Sequence, residues 1–115
     1  MQNQDNNVVI KNLLDCAISN VKCVAECLSQ KDAKMMMECV QLCNDTANMC
    51  MQTARMLKSG SKMGLQYLAL CEEMCMMCCE ECLKHADMKC CKECADCCKK
   101  CAECCREKQN LLMSK

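Results

Sequence analysis

The chain has 115 residues, a length that suits one domain, and its formal net charge is zero. Nineteen cysteines and thirteen methionines accompany one tyrosine and no phenylalanine, tryptophan or proline, which excludes an aromatic core and favours long helices. No basic block or aromatic platform indicates a nucleic-acid partner, and no run of about 18 apolar residues predicts a membrane span.

Three polar breaks divide the chain into four helical segments, each long enough for several turns. The segments are expected at roughly 6–29, 32–58, 62–85 and 87–112. Asp32, Ser61 and Asp87 stand where N-caps of the last three helices belong. Four helical segments predict an all-α fold. Because short connections make successive helices antiparallel neighbours, the segments are expected to run alternately up and down. The expected architecture is a single antiparallel up-down-up-down four-helix bundle with a cysteine-lined core, covering residues 1–115.

At about 100° per residue, the cysteines of each segment fall on one face of its helix. The first two segments carry Cys16, Cys23 and Cys27, then Cys39, Cys43 and Cys50. The third carries Cys71, Cys75, Cys78, Cys79 and Cys82. The fourth carries Cys90, Cys91, Cys94, Cys97, Cys98, Cys101, Cys104 and Cys105. These faces lie where leucines usually lie in a bundle, so we predict a core lined by metal-binding cysteines.

In an antiparallel hairpin, residues at the same level have numbers with a constant sum, and the cysteines follow this rule. The pairs that share one sum in the first hairpin are Cys16/Cys50, Cys23/Cys43 and Cys27/Cys39. Those that share another in the second hairpin are Cys82/Cys90, Cys78/Cys94, Cys75/Cys97 and Cys71/Cys101. The spacing therefore predicts rungs of thiols across both hairpins. Asn20 and Thr46 share a rung inside the thiol face and are predicted to hydrogen-bond to thiolates.

Thiolate and thioether ligands select Cu(I), Zn(II) or iron–sulfur clusters. Sulfurs three and four residues apart on a rigid helix can share an ion of low coordination number, and methionine is an unusual zinc ligand. The sequence therefore favours multiple Cu(I) ions, with storage or sequestration as the function and no catalysis. Sequestration of zinc or cadmium, as in metallothioneins, is the main alternative.

Two further interpretations of the cysteines are weaker. Two runs of Cys-x-x-Cys-x-x-Cys, at 91–97 and 98–104, match the start of the bacterial ferredoxin pattern, but a cluster needs a curled loop and the pattern normally ends in Cys-Pro. A disulfide framework conflicts with the odd cysteine count and the scarcity of loops. An iron–sulfur electron-transfer protein thus stays as a minor alternative.

The two ends of the predicted bundle differ in chemistry. One end would gather an apolar plug made of Val9, Leu13, Leu57, Leu65, Tyr67, Leu68, Leu111 and Leu112. The other would gather Met35, Met36, His85 and Met88, a set suited to a metal port because thioether and imidazole ligands hold Cu(I) less tightly than thiolates. Charged residues, including the pairs at 72–73 and 80–81, are predicted to form solvated outer faces.

The cysteine-lined helices, the mirrored spacings and the Met/His end resemble the bacterial copper storage proteins over roughly residues 6–112. The resemblance implies a bundle that stores many Cu(I) ions, often as a homotetramer, in either an exported or a cytosolic branch. Because the sequence starts without a basic segment followed by an apolar one, the cytoplasm is favoured, although a mature exported chain would begin in the same way. A copper-delivering chaperone is a further expected partner.

Overall fold

The computed structural model describes residues 2–114 and the side chains of residues 6–114. It contains four long α-helices. Their bounds are α1, Gln2–Leu28; α2, Met37–Lys58; α3, Gly64–Leu83; and α4, Lys89–Met113. A short 3₁₀ turn, Ala33–Met36, leads into α2. The predicted helices are thus present, while the boundaries shift by a few residues and the start of the second helix is replaced by the 3₁₀ turn.

The helices form an elongated bundle of about 50 × 20 × 20 Å. Each helix packs against two neighbours, in the cyclic order α1, α2, α3, α4 and back to α1. Small residues at these contacts, such as Ala17, Ala95 and Ala102, are almost completely buried and allow close approach of the helices. The predicted all-α, antiparallel four-helix bundle is confirmed.

The connection between α2 and α3 is a Schellman motif. The Ser61 amide donates to the Met56 carbonyl at 2.9 Å, and the Gly60 amide donates to the Leu57 carbonyl at 3.2 Å. Gly60 has a φ of 69°, in the left-handed region where glycine has no steric penalty. This motif ends α2 and returns the chain into α3 without a longer loop.

The helix starts differ from the predicted caps. Asp32 precedes the 3₁₀ turn without a side-chain cap hydrogen bond, and Met88, not Asp87, occupies the cap position of α4. Ser61 Oγ accepts a bond from the Met63 amide at 3.0 Å, which lies just before α3. Since Asp, Ser and Asn also favour turns, the signals marked the connections correctly but not the first helical residue.

The apolar plug closes the end that holds the α2–α3 connection. Val9, Leu13, Leu57 and Leu68 are buried there, in agreement with the prediction. Leu111 is 51% exposed, contrary to the prediction. The buried stripe of α4 passes through Cys105 and Lys108 towards the half-buried Leu112, and Leu111 lies about 100° away from Leu112 on the helix.

Candidate metal centre

The cysteines form the core of the bundle. Sixteen of the nineteen are buried, and all nineteen are free thiols. The half-buried ones are Cys90, Cys97 and Cys104, which recur every seven residues along one edge of α4. Among the described residues, the only fully buried leucines are Leu13 and Leu68, and both belong to the plug.

Five groups of thiols have sulfur atoms that all lie within 4.8 Å of one another. Two groups lie in the half of the bundle near the plug: Cys71/Cys101/Cys105 and Cys16/Cys50/Cys75/Cys101. Three lie in the other half: Cys43/Cys78/Cys82/Cys94, Cys23/Cys39/Cys43/Cys82 and Cys23/Cys27/Cys90/Cys91. Within each half, neighbouring groups share members, so the thiols form a column rather than separate sites.

The shortest sulfur contacts do not follow the predicted hairpin rungs. They join α2 to α3, as in Cys43–Cys82 at 3.7 Å, and α1 to α4, as in Cys23–Cys91 at 3.8 Å. Some hairpin pairs, such as Cys16/Cys50, still share a group, whereas Cys75/Cys97 do not. Each helix has two antiparallel neighbours, and the constant-sum rule applied to α1 with α4 would have found Cys23 opposite Cys91.

Asn20 is completely buried at the junction between the two halves of the column. Its Nδ2 donates to the Cys16 carbonyl at 2.8 Å and contacts the sulfurs of Cys16 and Cys98 at 3.4 and 3.5 Å. Its Oδ1 accepts from the thiols of Cys78 and Cys94, each at 3.2 Å. The predicted contact between Asn20 and core thiols is therefore present, and one amide joins thiols of both halves.

Thr46 does not behave as predicted. It is completely buried, but its Oγ1 has no hydrogen-bond partner among the described residues. The predicted bond to a thiol is therefore wrong for this structure. The constant-sum rule placed Thr46 at the level of Asn20 correctly, but the Asn20 amide is already fully engaged with cysteines.

Burial raises the pKa of some of the core thiols. It is the main cause for Cys27, whose pKa rises from 9.0 to about 12, and for Cys91, where the neighbouring Cys23 thiolate adds to the effect. The pKa values of Cys79 and Cys104 are raised by burial as well, although both residues lie outside the five groups. Without metal, these thiols therefore stay protonated at neutral pH, and a bound ion must displace their protons.

The four predicted port residues come together at the end opposite the plug. Met35, Met36, His85 and Met88 line one open pocket of about 530 Å³. Met35 is 76% exposed at its rim, whereas Met36 is buried beneath it. The structure thus brings these four side chains to a single place.

Glu81 is a site residue that the sequence analysis missed. It was predicted to lie on a solvated face, yet its side chain is only 8% exposed, between Lys84 Nζ at 3.2 Å and His85 Nε2 at 3.3 Å. When Nε2 donates to this carboxylate, the lone pair of His85 is on Nδ1. The spacing of four residues between Glu81 and His85 on a helix was the available signal.

An antiparallel bundle whose interior is a column of linked thiols defines a class of helical proteins that bind soft metal ions internally. The sequence profile of the copper storage protein family matches residues 2–110. The chain therefore belongs to the copper storage protein family.

Individual relatives agree with this assignment. The chain is 30% identical over 92 residues to the uncharacterized cysteine-rich protein YhjQ of Bacillus subtilis strain 168, a match that covers 80% of this chain and 84% of the relative. It superposes on the Cu(I)-bound copper storage protein BsCsp3 of Bacillus subtilis with a TM-score of 0.85 and 29% identity, covering 90% of this chain and 96% of the other. It superposes on a cytosolic copper storage protein of Streptomyces lividans, in a structure with five coppers, with a TM-score of 0.90 and 27% identity, covering 95% of each chain.

Proposed function

We propose that this protein stores multiple Cu(I) ions on its core thiolates, with the nineteen cysteines as the ligand set. The observation that carries the proposal is the sharing of Cys101, Cys23, Cys43 and Cys82 between thiol groups. A thiolate that belongs to two groups can bridge two ions, and a chain of such bridges holds many ions in a narrow core. A separate site for a single ion would need no such sharing.

Sulfur separations of 3.7–4.0 Å suit an ion held by two or more thiolates. With a metal–sulfur bond of about 2.3 Å, trigonal coordination separates sulfurs by about 4.0 Å and tetrahedral coordination by about 3.8 Å. The distances alone therefore fit both Cu(I) and zinc. The membership of the copper storage family and the methionine-lined pocket favour Cu(I).

The iron–sulfur alternative loses its structural basis. Both Cys-x-x-Cys-x-x-Cys runs lie inside the continuous helix α4, Lys89–Met113. A helix points their side chains outward along its length and cannot wrap them around one cluster. The family's role is storage, and we propose that this chain likewise carries out no catalytic step.

Loading is proposed to begin in the pocket of Met35, Met36, His85 and Met88, here called the mouth pocket. The exposed Met35 offers a thioether to arriving ions, and the His85 Nδ1 becomes a second weak ligand when Glu81 holds Nε2–H. Weak ligands at the rim and strong thiolates inside give a gradient of affinity into the column. A copper-delivering chaperone would release its ion here.

The proposed location is the cytoplasm, as in the Streptomyces relative that is described as cytosolic. No helix in residues 2–114 is long and apolar enough to cross a membrane.

A homotetramer is the proposed assembly, and the exposed apolar side chains of Ile18, Val21 and Met51 around one hollow on α1 and α2 support an interface between copies.

Anaerobic titration of the reduced, metal-free protein against a chromogenic Cu(I) chelator tests the storage function. We expect uptake of many ions per chain and retention of Cu(I) in the presence of equimolar zinc. Saturation after only a few ions, or displacement of Cu(I) by zinc, would contradict the proposal.

The port is tested by the rate of the same uptake. The combined variant Met35→Leu, Met36→Leu and His85→Asn removes the soft ligands but leaves every core thiol in place, so loading should slow by about tenfold with nearly unchanged capacity. Met76→Leu with Met77→Leu is the matched control, because both methionines are exposed on α3 away from the pocket. A large loss of capacity in the port variant would contradict the assignment.

A further inference from the structure

One thiol group of the column is open to solvent. Among the groups formed by described residues, Cys23/Cys27/Cys90/Cys91 is the only one with a member that is not buried, namely Cys90. Cys90 Sγ lies 4.0 Å from Cys23 Sγ and 3.9 Å from Cys91 Sγ. An ion on Cys90 is therefore already within bonding reach of two fully buried thiols.

A second hollow lies directly outside Cys90, on the side of the bundle between α1 and α4. This hollow, here called the side groove, has a volume of about 460 Å³ and is lined by Lys22, Glu26, Gln30, Met88, Lys89, Cys90 and Glu93. Gln30 and Met88 also line the mouth pocket, so the two hollows adjoin. A thioether ligand, Met88, thus stands at the junction between the exposed end of the bundle and the open thiol.

The other half-buried cysteines lack this arrangement. Cys97 and Cys104 lie along the same edge of α4, yet neither belongs to a thiol group. Neither lines the mouth pocket or the side groove. Partial exposure alone therefore does not distinguish Cys90; the combination of exposure, group membership and an adjoining methionine does.

We propose that Cys90 is the first thiolate to receive Cu(I), and that ions move from the mouth pocket over Met88 into the side groove and then into the column. This inference rests on the proposed storage function and identifies the residue at which Cu(I) enters the thiol column. The step is a ligand exchange in which copper stays Cu(I). The bond from the metal to a donor sulfur or nitrogen breaks, a Cu–Sγ bond to Cys90 forms, and the thiol proton of Cys90 passes to the departing donor or to water. Cys23 and Cys91 then take the ion inward by the same exchange.

The test compares loading rates of the full chain with the Cu(I)–bicinchoninate complex as donor, followed anaerobically by loss of its colour. Cys90→Ser should load about tenfold more slowly than the unsubstituted protein, while its final capacity should fall only by the share of the one thiol that it lacks, because every buried thiol remains. Cys104→Ser is the matched control, since it also costs one half-buried thiol ligand of the same helix, but one that lies outside the thiol groups and both hollows; its capacity should fall by the same share, and its loading rate should change by less than about twofold.

Equal loading rates for Cys90→Ser and the unsubstituted protein would overturn the inference and leave storage intact. Loss of most of the capacity in Cys90→Ser would also overturn it, because Cys90 would then be needed to hold ions rather than to admit them. An unsubstituted protein that takes up only a few ions would instead contradict the storage function itself.

A second measurement avoids dependence on folding of the Cys90 variant. In the double variant Cys97→Ser and Cys104→Ser, Cys90 is the one remaining half-buried cysteine among the described residues. One equivalent of iodoacetamide on the metal-free form should modify Cys90 and slow subsequent loading, with the site located by peptide mass spectrometry. Modification mainly at buried thiols, or unchanged loading after modification of Cys90, would contradict the inference.

Discussion

Asn20 is the only buried asparagine among the described residues, and all its side-chain hydrogen-bond partners belong to cysteines. It donates to Cys16 and Cys98 and accepts from Cys78 and Cys94. An amide can both donate to thiolates and accept from thiols, so it remains satisfied whether its neighbours are protonated or ionised. Such a residue links the two halves of the column in the metal-free state without fixing the charge of either half.

Replacing Asn20 tests this link. Asn20→Ala should lower the free energy of unfolding of the metal-free protein by about 1–3 kcal/mol, because buried thiols and the Cys16 carbonyl lose their partner and a void remains. Thr46→Val is the matched control at the same level. Since Thr46 Oγ1 has no partner in the described structure, this variant should be neutral or slightly stabilising.

Urea unfolding of the reduced, metal-free variants gives both values. A cost for Thr46→Val equal to that for Asn20→Ala would show that the contacts of Asn20 with cysteine add nothing specific.

At the scale of helices and turns, Gly60 is the position where the backbone conformation disfavours any residue with a Cβ atom. Its φ of 69° is in the left-handed region, so Gly60→Ala should cost about 1–2 kcal/mol of unfolding free energy. Gly64→Ala is the control within the same connection. Its added Cβ would lie 3.4 Å from Leu57 Cδ2, an ordinary contact, and alanine favours the helix that begins there.

Thermal or urea unfolding of both metal-free variants measures the difference. Equal stability of Gly60→Ala and Gly64→Ala would contradict the role given to the Schellman motif.

The helices and their core faces were predictable because cysteine spacing and the scarcity of breakers leave few alternatives. The cysteine that each thiol contacts was not predictable in the same way. A helical face of about 100–140° contacts two neighbouring helices, whereas the constant-sum rule was applied to only one of them. The burial of Glu81 beside His85 was also missed, because charge predicts exposure unless a specific partner is recognised. The predicted helix starts were wrong for a related reason, because Asp32 and Asp87 favour turns as well as N-caps.

At the scale of the whole molecule, the buried thiols couple stability to pH. Burial raises the pKa of Cys79 and Cys104, and that of Cys27 to about 12, so the folded metal-free chain holds these protons more tightly than the unfolded chain does. This contribution to stability is complete below the ordinary thiol pKa of 9.0 and is lost as the pH rises from there towards about 12.

The urea midpoint of the reduced, metal-free protein should therefore fall as the pH rises above about 9. The Cu(I)-loaded protein should change less over the same range, because its thiolates have already released their protons to bind the metal. A metal-free midpoint that rises with pH in this window would contradict the raised pKa values of Cys27, Cys79 and Cys104.

The central claim is that a column of shared thiolates along the bundle axis holds a row of Cu(I) ions. A crystal structure of the anaerobically loaded protein, with anomalous difference maps on both sides of the copper absorption edge, tests it most directly. We expect several copper peaks between the Cys71/Cys101/Cys105 group and the Cys23/Cys27/Cys90/Cys91 group, most of them bound by sulfurs from more than one helix. Copper found only at the surface, or a single ion in an otherwise empty core, would contradict it.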